Sequence, residues 1–232
     1  MRTRSKRYKK DLQKVSQEPI PLDDAIQRLK SLGQTKFDQT IDLVCHLGID
    51  ARQADQMIRG SVGLPKGIGR SRRVIAFCGD GDVEAAKEAG AIEAGGEELV
   101  AKVQKGWLDF DVAIAHPSMM GKVGKLGRLL GPQGKMPSPK SGTVTPDVIT
   151  AVREYSAGKV EFRNDAGGNV HAPVGKMSFT AEDLHENIVA FVNHIRKMKP
   201  PAAKGHYLKK VCISGTMTPA IMVQVPAAGG LE

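Results

Sequence analysis

A segment rich in Gly and Pro, residues 127–144 (GRLLGPQGKMPSPKSGTV), has the residue types of a phosphate-contacting loop. It lies in an acid-free stretch between Asp111 and Asp147, whose cations include Lys122, Lys125, Arg128, Lys135 and Lys140. So many Gly and Pro residues predict neither a helix nor an ordinary strand, which leaves an ordered functional loop or a flexible linker. Cations without acids favour a phosphate-bearing partner. A solvated turn is the alternative.

Three other motifs have residue types used in enzymes, and each is incomplete. Residues 79–82 (GDGD) stand where a dinucleotide fold has its phosphate turn, but their acids would repel a pyrophosphate. Gly134 and Lys135 lack the first Gly and the Ser or Thr of a phosphate loop. His185 and Glu186 lack the second His of a zinc-protease helix. The sequence therefore predicts a binding protein with no catalytic site, metal or cofactor.

Charge and composition favour a polyanionic partner. The 232 residues carry a formal net charge of +9 with a pI near 9.5, and nucleic acid is favoured over an anionic membrane surface. The first ten residues form a basic arm, which either contacts phosphates or is a disordered, solubilising tail. With only three Tyr, six Phe and one Trp, base stacking cannot dominate, so shape and backbone contacts must contribute more.

The cysteines and the apolar runs predict a soluble, cytosolic protein. Cys45, Cys78 and Cys212 lie in apolar, strand-like runs without CxxC spacing, which is typical of core thiols in a reducing compartment. The chain has no apolar stretch near the length of a membrane span, and its N-terminus has no apolar signal-peptide core.

Apolar periodicity predicts helices and strands in both terminal parts of the chain. Residues 22–32 have helical spacing, and residues 37–47 alternate as a half-buried strand with Phe37 on its apolar face. A basic arm, residues 1–18, precedes them. Further strands are expected over 56–64, 159–163, 170–172, 207–214 and 221–225. A long helix that begins after Thr180 as its N-cap must cover a sheet.

The central part of the chain follows a different pattern, in which short apolar strands alternate with helices. The expected segments are 74–78, 83–89, 97–105, 112–116 and a helix over 145–155, typical of α/β structure with a largely parallel sheet. The first 66 residues offer only a helix and two strands, too little to bury a core, and the last part has too few strands for its long helix. We therefore expect a discontinuous α+β domain of residues 1–66 plus 158–232, interrupted by an inserted α/β domain of residues 67–157.

Seven motifs in this order resemble the ribosomal protein L-one family, the large-subunit protein of the mobile stalk beside the tRNA exit site. They are SKRYKK (5–10), KFDQT (36–40), GSVGLPKGIG (60–69), GWLDFDVAIAHPSMM (106–120), LGRLLGPQGKMPSPKSGTV (126–144), VEFRNDAGGNVHAPVGK (160–176) and GTM (215–217). The resemblance spans almost the whole chain. It implies a discontinuous α+β domain that holds ribosomal RNA and an inserted α/β domain of Rossmann-like, three-layer topology.

The resemblance also implies which residues bind RNA. They are Lys36, Phe37 and Thr40 of KFDQT, Asn164 and Asp165 of the FRND turn, and Thr216 and Met217 of the late Thr-Met motif. Short polar groups suit 2′-hydroxyl and phosphate contacts, and Phe37 and Met217 can pack on a sugar or base. Core packing is the alternative for both, and the alternating pattern alone favours it for Phe37.

Two further groups of residues have expected roles. Pro65, Gly67 and Gly158 lie where the two connections between the expected domains cross, and they are candidates for a hinge. The cations Lys122, Lys125, Arg128, Lys135 and Lys140 are candidates for a loop that faces tRNA or other RNA.

The chain departs from the family pattern in two places. Members usually carry Thr where this chain has Gly215 and Gly where it has Thr218, so Thr218 is expected to hold the backbone farther from RNA. In the central loop, Gln133 replaces a usual Arg and Ser138 a usual Asn. Lys135 partly restores the charge there.

The sequence thus predicts a structural protein of the large ribosomal subunit that binds its ribosomal RNA and is no enzyme. The resemblance further implies contact with exit-site tRNA, help in releasing deacylated tRNA, and repression of the protein's own operon mRNA. A membrane partner is not expected. Two alternatives stay open: a nucleotide-dependent enzyme that uses the α/β insertion, and a non-ribosomal RNA chaperone.

Overall fold

The computed structural model describes residues 4–16, 18–33 and 35–225. Its helices are α1 (Lys6–Lys14), α2 (Leu22–Lys30), α3 (Val83–Glu88), α4 (Glu97–Gln104), α5 (Met120–Val123), α6 (Gly127–Leu130), α7 (Val148–Ser156) and α8 (Ala181–Lys197). Its strands are β1 (Thr40–Leu47), β2 (Arg59–Val62), β3 (Val74–Phe77), β4 (Ala91–Gly95), β5 (Val112–Ala115), β6 (Val160–Arg163), β7 (Asn169–Lys176), β8 (Leu208–Gly215) and β9 (Ile221–Val223). The predicted mixture of helices and several sheets is confirmed.

The chain groups into two compact units. The first unit comprises Met1–Gly69 and Val160–Glu232, and the second unit is Arg70–Lys159. The chain leaves the first unit after β2 and returns to it with β6. These two strands pair antiparallel, with Val62 opposite Val160, so the point of exit and the point of return are neighbours in one sheet.

The main sheet of the first unit is antiparallel, with strand order β7-β1-β8-β9. In β1 the side chains alternate between the core and the opposite face, and Ile41, Leu43, Cys45 and Leu47 are the buried ones. Helices α2 and α8 pack against this sheet and share its core. The opposite face of β7, β1 and β8 is only partly buried, and we call it the open face.

Helix α8 follows the sequence prediction closely. Thr180 is its N-cap, and the Thr180 hydroxyl accepts a hydrogen bond from the Asp183 amide. Acids in the first turn and bases in the last turn complement the helix dipole. Four of its apolar residues, at helical spacing, are fully buried in the core of the first unit: Leu184, Ile188, Phe191 and Ile195.

The second unit is built on a parallel sheet with strand order β4-β3-β5. Both faces of this sheet are covered, because alternate residues of β3 enter two different cores. Ile75 and Phe77 pack with α4 and with the chain around α5 and α6, whereas Val74 and Ala76 pack with α3 and α7. The apolar run of β3 therefore reflects a strand buried on both sides.

The acid-free segment of the second unit differs from its prediction. Residues 127–144 do contain helix, since Gly127–Leu130 forms α6 and Pro139–Ser141 forms a 3-10 turn. Helical turns run almost continuously from Pro117 to Leu130. Met119, Val123, Leu126 and Leu130 are buried at spacings of four, three and four residues, a helical periodicity that the interspersed glycines conceal.

Four other expectations need correction. The part of the basic arm from Lys6 to Lys14 is not disordered, because it forms α1. Phe37 precedes β1 and is exposed instead of lying on its apolar face. Strand β4 lies in a part of the chain where no strand was expected. Cys45 and Cys78 are buried as predicted, but Cys212 is only partly buried. Among the described residues, no helix is both long and apolar enough to cross a membrane.

Candidate RNA-binding surface

Five of the predicted RNA-binding residues belong to two chain segments, 36–40 and 216–217, that meet at one end of the main sheet of the first unit. They are Lys36, Phe37, Thr40, Thr216 and Met217, and we call them the Met217 cluster. The Thr40 carbonyl accepts hydrogen bonds from the Thr216 amide (3.0 Å) and the Thr216 hydroxyl (3.2 Å). The sequence places these two threonines far apart, and the pairing of β1 with β8 brings them into contact.

Phe37 and Met217 expose apolar side chains in this cluster. Phe37 is 49% exposed and Met217 is 66% exposed, so the core-packing alternative is wrong for both. Met217 has a φ of +66°, the one positive value at a non-glycine residue among those described. Such a backbone conformation is costly for a residue with a side chain and marks a constrained turn.

Thr218 and Gly215 fit together in the turn that carries Met217. The Thr218 hydroxyl is buried, accepts a hydrogen bond from the Gly215 amide (2.9 Å) and donates to the Gly215 carbonyl (3.0 Å). A Cβ atom at Gly215 would lie 3.4 Å from that hydroxyl, a close contact. The Thr218 side chain thus points into the protein, where its hydroxyl binds the backbone of Gly215.

The other two predicted RNA-binding residues, Asn164 and Asp165, lie near the opposite end of β1. Asp165 binds Asn169, which is paired with His46 of β1, whereas the Met217 cluster adjoins Thr40. Six residues of β1 separate the two ends, or about 20 Å at the strand rise of ~3.3 Å per residue. The structure therefore gives two separate groups of predicted RNA-binding residues on one sheet.

Asn164 and Asp165 already have partners within the protein. The buried Asn164 side chain accepts from the Ile58 amide (2.8 Å) and donates to the Asp165 carbonyl (3.0 Å). The Asp165 carboxylate accepts from the amides of Gly167 (2.9 Å) and Asn169 (2.7 Å). Hydrogen bonds from Asn169 lower the pKa of Asp165 to about 2. Both residues shape the turn before β7 through these bonds.

The open face connects the two groups. Its polar side chains alternate with the core residues of three neighbouring strands: Thr40, Asp42 and His46 of β1, Asn169, His171 and Lys176 of β7, and Lys210 and Ser214 of β8. Lys176 donates to the Thr40 hydroxyl (2.7 Å). Burial raises the pKa of Asp42, while the neighbouring His171 and Lys176 act in the opposite direction. The face therefore presents hydrogen-bonding groups of both charges.

The cations of the acid-free segment differ in what they contact. Lys122 pairs with Glu97 and lowers the pKa of that carboxyl. Lys135 donates to the Leu108 carbonyl (2.9 Å) and lies over the Phe110 ring, so it stabilises the loop from inside. Lys125, Arg128 and Lys140 are exposed. They are the members of this set best placed to meet a phosphate.

Hydrogen bonds hold residues 138–143 in place. The Tyr155 hydroxyl donates to the Ser141 carbonyl (2.6 Å), and the Ser138 amide donates to the Thr143 hydroxyl (2.8 Å). Ser141 and Thr143 are buried. This part of the segment is thus an ordered loop and no flexible linker.

Comparison with known proteins decides the family. Residues 29–219 match the model of the Ribosomal protein L1p/L10e family. The chain belongs to this family. It is 57% identical over 223 residues to the large ribosomal subunit protein uL1 of Rhodopirellula baltica, covering 96% of this chain and 99% of that protein. Proteins of the same name from Chlorobium chlorochromatii and Cutibacterium acnes are each 48% identical, over 95% and 97% of this chain and 96% and 97% of their own length.

Family membership confirms several sequence predictions. The chain is a ribosomal protein of the L1p/L10e family and, like its relatives, a structural protein and not an enzyme. The nucleotide-dependent enzyme is thereby set aside. The predicted cytoplasmic location, on the ribosome, is confirmed as well. Among the described residues, no group of His, Cys, Asp and Glu side chains could hold a metal ion.

Sequence reasoning missed residues that support the Met217 cluster. Lys176 and Arg7 both donate hydrogen bonds into it, to the Thr40 hydroxyl and to the Met217 carbonyl (3.3 Å). Both belong to motifs that carried the family resemblance, SKRYKK and the end of VEFRNDAGGNVHAPVGK. A basic residue within a recognised motif was therefore the available signal, but only the pairing of strands shows what each one contacts.

Proposed function

We propose that the protein is a structural constituent of the large ribosomal subunit and binds its ribosomal RNA through the first unit. The observation that carries this proposal is the Met217 cluster, in which hydrogen bonds between Thr40 and Thr216 join two segments that expose the apolar side chains of Phe37 and Met217. Sequence-specific RNA recognition combines such apolar contacts with polar groups that meet 2′-hydroxyls and base edges. The relatives named above are all proteins of the large subunit.

The cluster suits the minor-groove face or an unpaired base of a folded RNA. Phe37 and Met217 can lie on a sugar or a base, while Lys36 reaches a phosphate. Hydrogen bonds between Thr40, Thr216 and Lys176 fix the cluster before RNA arrives, which reduces the ordering cost of binding. The Asp165 turn and the open face extend the surface away from this cluster.

The domain assignment that accompanies this function is a discontinuous α+β domain, residues 1–66 plus 158–232, with an inserted α/β domain of Rossmann-like, three-layer topology, residues 67–157. The two compact units and the parallel sheet of the second unit support it. Pro65, Gly67 and Gly158 flank the paired strands β2 and β6. Gly67 and Gly158 have positive φ values of 64° and 110°, so these two glycines are our candidates for a hinge.

The second part of the proposal concerns tRNA. A protein at the stalk beside the exit site would contact exit-site tRNA and help to release it after deacylation. Lys125, Arg128 and Lys140 of the second unit are exposed cations that could meet its phosphates. Such contacts would give affinity without sequence preference.

The third part concerns regulation. The protein would repress its own operon mRNA if that mRNA presents a shape similar to the ribosomal site, because one Met217 cluster would then serve both RNAs. Binding of the two RNAs should be mutually exclusive. Repression only after ribosomal sites are filled requires the ribosomal site to be tighter, and a tenfold preference corresponds to about 1.4 kcal/mol.

Footprinting on large-subunit RNA tests the first part, and competition tests the third. The purified protein should protect a discrete region of that RNA, and the protected fragment should displace a leader-mRNA fragment from the protein. Protection spread evenly over many RNA structures would favour the RNA chaperone alternative. A ternary complex with both RNAs would overturn the shared surface.

A further inference from the structure

Helix α1 is attached to the turn at Met217 and to the chain at Gly33. The Arg7 guanidinium donates to the Met217 carbonyl at 3.3 Å. Four residues later, the Asp11 carboxylate accepts from the Gly33 amide at 3.1 Å, at the start of the segment that leads to Lys36 and Phe37. Residues four apart share one helix face, so a single face of α1 contacts both the Met217 carbonyl and the Gly33 amide.

Packing brings this face close to the rest of the first unit. A Cβ atom at Gly33 would lie only 2.9 Å from Cγ of Arg7, so the glycine leaves the room that the Arg7 side chain occupies. Asp11 is 3% exposed, and Val15 packs against the core of the first unit. The outward side of α1 exposes four lysines, Lys6, Lys9, Lys10 and Lys14.

The buried carboxylate of Asp11 is a costly way to stabilise a helix. Among the described residues, its Oδ2 atom has no hydrogen-bond partner although it is buried, and such groups are destabilising. Its Oδ1 atom makes the contact to Gly33. The position of α1 relative to the cluster is what this residue secures.

We propose that α1 is a fixed part of the RNA-binding surface, in which Arg7 and Asp11 are positioning residues. Arg7 holds the constrained turn at Met217, and Asp11 anchors the chain at Gly33. The outward lysines then meet RNA phosphates at a set distance from the cluster. This inference rests on the proposed binding of large-subunit RNA by the Met217 cluster, and it replaces the view of the N-terminus as an independent set of charges.

The Asp11→Ala variant distinguishes a docking role of Asp11 from a purely electrostatic one, because the two roles predict opposite changes in RNA affinity. Removing an acid beside a polyanion should tighten RNA binding if charge alone matters. If docking matters, affinity for the large-subunit fragment protected in footprinting should fall about threefold to tenfold, the value of one hydrogen bond. Glu18→Ala is the matched control, since it removes the same charge from an exposed position nearby.

Two further variants test contact and charge separately: Arg7→Lys removes a contact and keeps the charge, and Lys9→Ala removes an exposed charge. Arg7→Lys keeps the charge but not the guanidinium, so we expect a lower preference for the protected fragment over a duplex of equal length and an unchanged salt dependence. Lys9→Ala removes an exposed cation, so we expect a shallower salt dependence with the preference retained. Urea unfolding of each variant confirms that folded protein is being compared.

The outcomes distinguish the positioning role of Arg7 and Asp11 from the proposed binding of large-subunit RNA, on which that role rests. If the unmodified protein shows no preference for the large-subunit fragment, the proposed function fails. If it does show that preference, but Asp11→Ala binds as Glu18→Ala does and Arg7→Lys binds as the unmodified protein does, the function stands and the docking role is overturned.

Discussion

Phe37 and Met217 are the residues whose replacement should affect RNA binding most while leaving the fold intact. Each exposes an apolar side chain, so truncation removes a contact surface without creating a cavity. We expect Phe37→Ala and Met217→Ala each to weaken binding to the protected fragment by about 1–3 kcal/mol, the range measured for base stacking. A filter-binding or calorimetric titration measures this.

Ile92→Ala provides the control for both variants. Ile92 is a large apolar residue of the second unit that is 48% exposed, nearly the same as Phe37. Its replacement should leave RNA affinity unchanged. Equal affinity of all three variants and the unmodified protein, with folding intact, would contradict the assignment of the cluster.

Asp165 should make stability depend on pH in the acid range. Its carboxylate pKa is about 2 in the folded protein, below the ordinary value of 3.8, because Asn169 and Gly167 donate hydrogen bonds to the charged form. Between these values the unfolded chain binds more protons than the folded one. The stabilisation is therefore complete above about pH 4 and is lost as the pH falls towards 2.

The Asp165→Asn variant isolates this contribution. Its midpoint of urea unfolding should lie below that of the unmodified protein at pH 6, and the difference should shrink as the pH is lowered to 2.5. A constant difference across this range would mean that ionisation of Asp165 does not stabilise the turn.

At the scale of the element, the N-cap of α8 is the simplest contact to test. The Thr180 hydroxyl satisfies the Asp183 amide at the start of a 17-residue helix that covers the main sheet. Thr180→Ala should lower the free energy of unfolding by about 1 kcal/mol, as measured by urea denaturation. Thr180→Ser keeps the hydroxyl and should cost less. If both variants lose the same amount, the cap is not the cause.

The helical run from Pro117 to Leu130 shows how an element can be hidden in its sequence. Its buried residues Met119, Val123, Leu126 and Leu130 have helical spacing, yet Gly121, Gly124 and Gly127 lower helix propensity throughout. Packing of these buried residues against the sheet of the second unit stabilises the helical turns despite their low propensity. The turns alternate between α-helical and 3-10 geometry as a result.

At the scale of the whole molecule, the two compact units predict that the second can be removed. Strands β2 and β6 pair across the point where the chain leaves and returns, with Val62 opposite Val160. A short Gly/Ser linker in place of residues 70–159 should therefore leave a first unit that unfolds cooperatively. This shortened protein should retain binding to the protected RNA fragment, measured beside the full chain.

The isolated second unit, residues 70–159, is the control and should lack that preference. A molten or insoluble first unit at several linker lengths would contradict the discontinuous domain. Retained folding with loss of RNA preference would instead place part of the RNA surface in the second unit.

The family, the mixed α/β class and most of the elements could be predicted from the amino-acid sequence. Alternating apolar residues predicted β1, and apolar residues at helical spacing after Thr180 predicted α8. Both patterns arise because an element that is buried on one face has apolar residues at its own period. Motif resemblance brought Phe37 into the candidate site although its alternation favoured the core. Two elements were not predicted because they lack an apolar pattern: only Ala91 of β4 is buried, and α1 faces the rest of the unit with the charged residues Arg7 and Asp11.

The arrangement of the candidate residues could not be predicted from the sequence, because it depends on how the strands pair. The pairing of β1 with β8 joins Thr40 to Thr216, whereas the same strand keeps the Asp165 turn about 20 Å away. Neither the contact between Thr40 and Thr216 nor the distance to the Asp165 turn can be predicted from sequence separation, because strand register is set by the packing of the whole sheet. In the sequence Arg7 is one of several cations near the N-terminus. Its contact with the Met217 carbonyl in the structure distinguishes it from the exposed lysines of α1.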